Sequence, residues 1–277
     1  MLACVAAACS ASDYGAATMP AADDAGTKPV EAQDAATEAP DAAPGDAAPP
    51  VPTCDVTKPF GPPVEIALGT GDIRGASLSP DELTITFARD GRIQRATRAS
   101  RTSPFGTASD VPDVNGSLSW GTPRPTPDGT TMYLTRSTTY GPLLAVALGA
   151  NGVYGAPTDV MSPSNTAIFA THPWVNPART TLYFTIGLPD DAGAYLIVAR
   201  AVIKTPGSLT SITPASELAH GDFAPVLTPD ELTMYFTSSR PGGAGGNDIW
   251  RASRPNRSAA WGNVARVTEL ASSASSE

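Results

Sequence analysis

Histidine and cysteine are nearly missing from this 277-residue chain, at two and three copies. His172 and His220 are isolated in sequence, so no metal-ligand spacing exists and neither a metal nor a cofactor is expected. Cys4 and Cys9 fall at the extreme N-terminus and Cys54 stands by itself, which excludes a disulfide framework. No apolar run approaches the ~18 residues that would suggest a membrane-spanning helix. The 28 prolines and 25 glycines exclude a helix bundle. No G-x-S-x-G elbow occurs, so a serine-hydrolase domain is not expected either, and no catalytic set can be named.

Basic residues are scarce in one part of the chain only. The formal charge is −9, yet residues 1–53 contain eight Asp/Glu against one Lys, with 18 alanines and a single aromatic, Tyr14. Residues 54–277 carry 19 acids and 17 bases, close to neutrality, and 17 of the 18 aromatics. A nearly neutral folded part has no field to attract nucleic acid, so no nucleic-acid partner is expected. Residues 10–53, rich in Ala, Pro and Asp, bury too little to offset their ordering entropy. They read as a disordered linker, stretched by acidic repulsion and proline.

The first nine residues look like an address. Val5-Ala-Ala-Ala-Cys9, followed by Ser10, resembles a bacterial lipobox, with Cys4 as a second candidate. The resemblance implies acylation of Cys9 and an exported protein held at a membrane surface. No Lys or Arg precedes Cys9, a departure that places the expected natural start upstream of Met1. The competing reading is an Ala-rich terminus whose cysteines carry no modification.

Self-similarity dominates the rest, residues 54–277. Four segments align without gaps: 78–87 (LSPDELTITF), 125–134 (PTPDGTTMYL), 175–184 (VNPARTTLYF) and 227–236 (LTPDELTMYF). Their anchoring prolines are Pro80, Pro127, Pro177 and Pro229, and Asp81, Asp128 and Asp230 follow three of them. Proline presets φ at the first central position of a turn, and the Thr-x-Tyr-Phe alternation beyond suits a strand. A third strand is marked by Asp248-Ile-Trp250-Arg-Ala-Ser-Arg254, aligned with Gly91–Arg98. A fourth opens with an aromatic-Gly pair at Phe60, Phe105, Tyr154 and Trp261, with Pro206-Gly207 as a degenerate copy. Four antiparallel strands per unit of ~45–50 residues predict an all-β β-propeller, with repeat cores near 76–111, 123–160, 173–212 and 225–267. The run from Leu227 to Trp250 resembles the WD40-like repeat of TolB-type periplasmic β-propellers, a repeat also found beside OmpA-type outer-membrane domains. That resemblance implies an interaction platform and no conserved catalytic set. Four visible blades and five fourth-strand signals leave two arrangements open. One is five or more blades in the natural protein; the other is a four-bladed ring with a surplus strand at 60–67.

Three features invite chemistry. Gly242-Gly-Ala-Gly-Gly-Asn-Asp248 resembles a calcium-binding β-roll loop, but it occurs once and Asn247 holds the required Asp position, so a hairpin loop is the expectation. Arg89, Arg92, Arg95, Arg98 and Arg101 could form a phosphate or acidic-glycan patch, or be paired at blade edges. Asp72 and Asp222 are candidate carboxylates at a channel mouth, and glycosidase chemistry would need two converging on one bond. The favoured reading is a membrane-tethered cell-envelope propeller that binds a protein or glycan partner. The alternatives are a carbohydrate- or peptide-directed propeller enzyme and a degenerate structural paralogue.

Overall fold

The computed structural model describes residues 58–115, 119–136, 143–150, 152–160, 169–190, 193–218 and 221–271. Cys9, the linker, Cys54 and His220 lie outside them. The first blade comprises β1 (Ile73–Leu78), β2 (Thr84–Arg89), β3 (Arg92–Thr97) and β4 (Ser109–Asp110), hydrogen-bonded in that order and antiparallel. The second contains β5 (Trp120–Pro125), β6 (Thr131–Arg136), β7 (Leu143–Ala150), a short β8 (Val153–Tyr154) and β9 (Thr158–Asp159), which pairs with β7. The third has β10 (Phe169–Val175), β11 (Thr181–Asp190), β12 (Gly193–Thr205) and β13 (Ser208–Pro214). The fourth has β14 (Phe223–Leu227), β15 (Thr233–Ser238), β16 (Asp248–Ser253) and β17 (Gly262–Arg266). The propeller expected from the repeat is therefore present with four blades.

The repeated turn is closed by its own side chains. The amide of the residue two after the anchoring proline donates to the carbonyl preceding that proline: Glu82 to Ser79, Gly129 to Thr126, Arg179 to Asn176, Glu231 to Thr228, all at 2.8–2.9 Å. These four residues take left-handed φ of 57–66°, which turns the chain back into the second strand. In three turns a hydroxyl donates to the Asp: Ser79 to Asp81 at 2.5 Å, Thr126 to Asp128 at 2.6 Å, Thr228 to Asp230 at 2.5 Å. The same Asp accepts the amide of Leu83, Thr130 or Leu232. The third turn has Ala178 in place of Asp, and Asn176 does both jobs: its Oδ1 accepts the amides of Thr180 and Thr181 at 2.9 and 3.0 Å.

Blades pack because their second strands are apolar on both faces. Leu182, Phe184 and Ile186 of β11 face the second blade, while the intervening Tyr183 faces the fourth. Met132 and Leu134 of β6 face the first blade and Tyr133 the third. The first strands neighbour one another at the centre, β1 beside β5, β5 beside β10 and β10 beside β14. Among the described residues the fourth and first blades do not meet in this way. Residues 58–72 cover that seam. Phe60 stands edge-on to Tyr235 of β15, with ring centroids 5.6 Å apart, and Ile66 and Leu68 pack with Ile85 and Phe87 of the first blade. Of the two arrangements left open, the surplus strand at 60–67 is not formed: these described residues pair with no strand, Phe60 and Ile66 pack through their side chains, and Arg89 ties down the following stretch at the Leu68 carbonyl.

Phe184→Ala should cost about 3–5 kcal/mol by chemical denaturation, since its ring is fully enclosed. Phe60→Ala, which removes one partly buried ring contact, should cost no more than about 1.5 kcal/mol in the same assay.

Candidate functional site

Two places in the propeller depart from simple blade packing: the central axis and the seam between the second and third blades. At the axis, every first strand carries a bulge five residues before its turn proline. Gly75, Thr122, His172 and Ala224 occupy it with φ of 58°, 43°, 52° and 54°. Pro123, Pro173 and Pro225 follow directly, and a proline in a strand requires an edge or a bulge. A Cβ on Gly75 would lie 2.3 Å from Thr122 Cα, so the first two bulges touch and only glycine fits there. Hydroxyls tie the bulges across blades. Thr135 meets Thr122 on its own blade and Thr171 at 3.1 Å on the next, and Thr185 accepts the Ala224 amide at 2.9 Å.

His172 is the titratable side chain at these bulges. Its ring lies 5.9 Å from Phe223, its Nδ1 is buried with no hydrogen-bond partner among the described residues, and burial lowers its pKa to about 4. The imidazole is therefore neutral near pH 7, where the folded state disfavours the imidazolium.

The candidate carboxylates sit in different surroundings, each engaged by an arginine. Asp72 is exposed and bridges Arg74 at 2.7 Å, while Asp222 is fully buried and bound to Arg240. Asp248 accepts the Ala244 amide at 2.6 Å and so closes the Gly-rich hairpin as an acceptor of backbone N–H. Trp250 stacks with Arg240, 5.2 Å from its guanidinium carbon. Among the described residues no cluster of three or more His, Cys, Asp or Glu could hold a metal ion. No described helix is long and apolar enough to cross a membrane.

The five arginines are all engaged, and the basic face does not exist as such. Arg89 donates to the Leu68 carbonyl, Arg92 bridges Asp110 at 2.6 Å, and Arg95 reaches the Gly152 carbonyl at 2.9 Å. Arg98 and Arg101 bind the carbonyls of Glu82 and Asp81 at 2.8 and 3.1 Å. The fourth blade repeats the last two, with Arg254 on Glu231 and Arg257 on Asp230. Arg98 lies over Phe105 and Arg254 over Trp261, so the aromatic-Gly pairs serve as platforms for turn-capping arginines.

The seams differ at the end bearing these turns. Between blades three and four, Glu231 and Arg254 fill the space, both about 5% exposed or less. Asn176 donates to Glu231 at 2.9 Å, Arg254 donates to the Tyr183 hydroxyl at 3.0 Å, and that hydroxyl faces Glu231 Oε2 at 3.3 Å. Burial raises the Tyr183 pKa, against the opposing pull of Arg254. Between blades two and three the same positions hold Thr126, Tyr133, Arg179 and, by backbone hydrogen bonding, Ile203 in place of Arg254. A cleft of about 260 Å³ opens there, lined by Thr126, Thr130, Tyr133, Arg179, Ile203 and Lys204 among others. Burial pushes Tyr133 up to about 12, and among the described residues no side chain meets its hydroxyl. Leu148, cross-strand partner of the lining residue Thr131, is 54% exposed at the rim. Sequence reading missed this cleft; the visible signal was that Glu231 and Arg254 have no counterparts at Arg179 and Ile203.

The described residues form a β-propeller of four blades. No family model matches it, and no curated protein matches it in sequence. Solved structures that resemble it include a TolB-type protein of Agrobacterium tumefaciens, 18% identical, with 71% of this chain and 61% of that one covered and a TM-score of 0.46. They also include an α-L-arabinofuranosidase of Podospora anserina, 11% identical over 77% of this chain and 74% of that one, TM-score 0.49. A puromycin-hydrolysing peptidase of Mycobacterium tuberculosis is 16% identical over 66% of this chain, TM-score 0.39. The chain spans only 61% of the TolB-type protein and 28% of the peptidase. At these identities the likeness concerns the fold.

His172 sets a pH dependence. Its folded pKa lies below the ordinary value near 6.5, so the unfolded chain binds more protons between pH 6.5 and 4. Stability is fully present above pH 6.5 and should fall by up to about 3 kcal/mol as pH drops through that window. His172→Gln should flatten this component in denaturation measured across pH 4–7, with His220 common to both proteins.

Proposed function

We propose that the chain is a cell-envelope binding propeller that engages a partner protein through the face bearing the Pro-Asp turns. The observation that carries this reading is the open cleft between blades two and three, with exposed Leu148 and Val153 on the neighbouring corner of the second blade. Apolar side chains exposed beside a polar recess are the usual make-up of a partner-binding patch. The engaged states of Asp72 and Asp222 favour binding over hydrolysis. Residues 10–53 act as a tether in this reading, and acylated Cys9 as its membrane anchor.

Two measurements test the proposal. The full chain used as bait on an envelope extract should recover a specific partner. Leu148→Asp with Val153→Asp should cut that recovery roughly tenfold, while Arg92→Ala, at the opposite end of its blade, should leave it intact. Equal recovery by all three, or no specific recovery, sinks the platform reading. Cys9→Ser in the full chain should move the protein from the membrane pellet to the soluble extracytoplasmic fraction; unchanged pelleting removes Cys9 as the anchor.

A further inference from the structure

The two seams just compared are built from the same repeat, and one contains what the other lacks. In the third-to-fourth seam, the Tyr183 hydroxyl is satisfied from within the chain by a carboxylate, Glu231, and a guanidinium, Arg254. In the second-to-third seam, the equivalent Tyr133 is 2% exposed overall, yet its hydroxyl opens onto the cleft with no protein partner among the described residues. The turn position that supplies Glu231 in one seam supplies Arg179 in the other. The carboxylate is absent and a cation has taken its place.

From this internal template we propose that the cleft binds a carboxylate side chain of a partner polypeptide. The inference rests on the platform reading and specifies its chemistry. Arg179 uses Nη1 on Asp128, leaving Nε and Nη2 without partners among the described residues. Asp128 is otherwise occupied by the hydroxyls of Thr126 and Thr130, at 2.6 and 2.9 Å. Lys204, exposed on the same blade as Arg179, also lines the cleft and has no counter-ion among the described residues. Arg179, Lys204 and Asp128 together leave one positive charge uncompensated. An entering carboxylate neutralises that charge, accepts from the guanidinium, and accepts from the Tyr133 hydroxyl as Glu231 does from Tyr183. Ile203 and Pro206 offer apolar contact to the stem of the acidic side chain and its neighbours.

The probe is a capped peptide, acetyl-Gly-Leu-Glu-Leu-Gly-amide, titrated against the full chain by two-dimensional NMR beside its Gln counterpart. The Glu peptide should shift the Arg179 Nε–H and the Thr130 amide saturably, at least tenfold more tightly than the Gln peptide. Arg179→Gln with Lys204→Gln should abolish the preference for Glu. Tyr133→Phe, which keeps the ring and the fold, should weaken the Glu peptide several-fold and leave the Gln peptide unchanged. Equal binding of both peptides, no binding of either, or shifts that survive the double substitution overturn the proposal. The two readings fail separately. Partner recovery that survives the double substitution while Glu-peptide binding is lost removes the carboxylate from partner recognition and leaves the platform standing. Saturable Glu-selective binding without any recovered partner removes the platform reading instead.

Discussion

The second strand of each interior blade has no solvent face, and the rest of the structure depends on that constraint. Leu182, Phe184 and Ile186 lean one way from β11 and Tyr183 the other, so a blade alone would expose a strip of apolar side chains on both sides. Neighbouring blades remove both strips at once, which makes the blades stabilise one another rather than fold as independent sheets. The strands must then meet at a common centre, and the first strand of each blade pays for this with a bulge. Thr122, His172 and Ala224 adopt left-handed φ without being glycine, at a cost of order 1 kcal/mol each, offset by the packing on either side.

Between these layers of packing, polar locks fix the corners. The hydroxyl–carboxylate–amide knot at each Pro-Asp turn satisfies groups that the tight turn would otherwise strand. Turn-capping arginines then bind the carbonyls that those turns leave outward. Arg98 and Arg254 are each held flat by an aromatic ring, so one residue ties turn, third strand and fourth-strand lead-in together. Where a lock is complete, as with Glu231 and Arg254, the seam is filled. Where the same positions hold Arg179 and Ile203, the seam stays open, and the difference between a structural corner and a recess comes down to two side chains.

Much of this was legible in the chain. The spacing of Pro80, Pro127, Pro177 and Pro229 marks the turns, and the Thr-x-Tyr-Phe pattern marks the strands, because both express local backbone preferences that hold wherever the segment lies. The arginines were harder to read. A three-residue spacing looks like a basic face until strand alternation and turn carbonyls distribute Arg89, Arg92, Arg95, Arg98 and Arg101 among five separate partners. Asp72 and Asp222 looked alike as free carboxylates. One is exposed and the other fully enclosed, and nothing in their neighbouring residues encodes that difference. The aromatic-Gly pair at Phe60 opens no strand here, because residues 60–67 lie against the side chains of Tyr235, Ile85 and Phe87 rather than along a strand edge.

The sequence by itself determined the repeat, its turns and the number of blades described, because turn chemistry and alternation are local and recur with each copy. Tertiary structure decided which seam is filled and which is open, which charges are neutralised, and that His172 sits buried and neutral at a central bulge. Those outcomes depend on residues about 50 positions apart meeting across a seam, as Asn176 meets Glu231. Burial and pairing are properties of the place where two blades meet, and no single copy of the repeat contains that place.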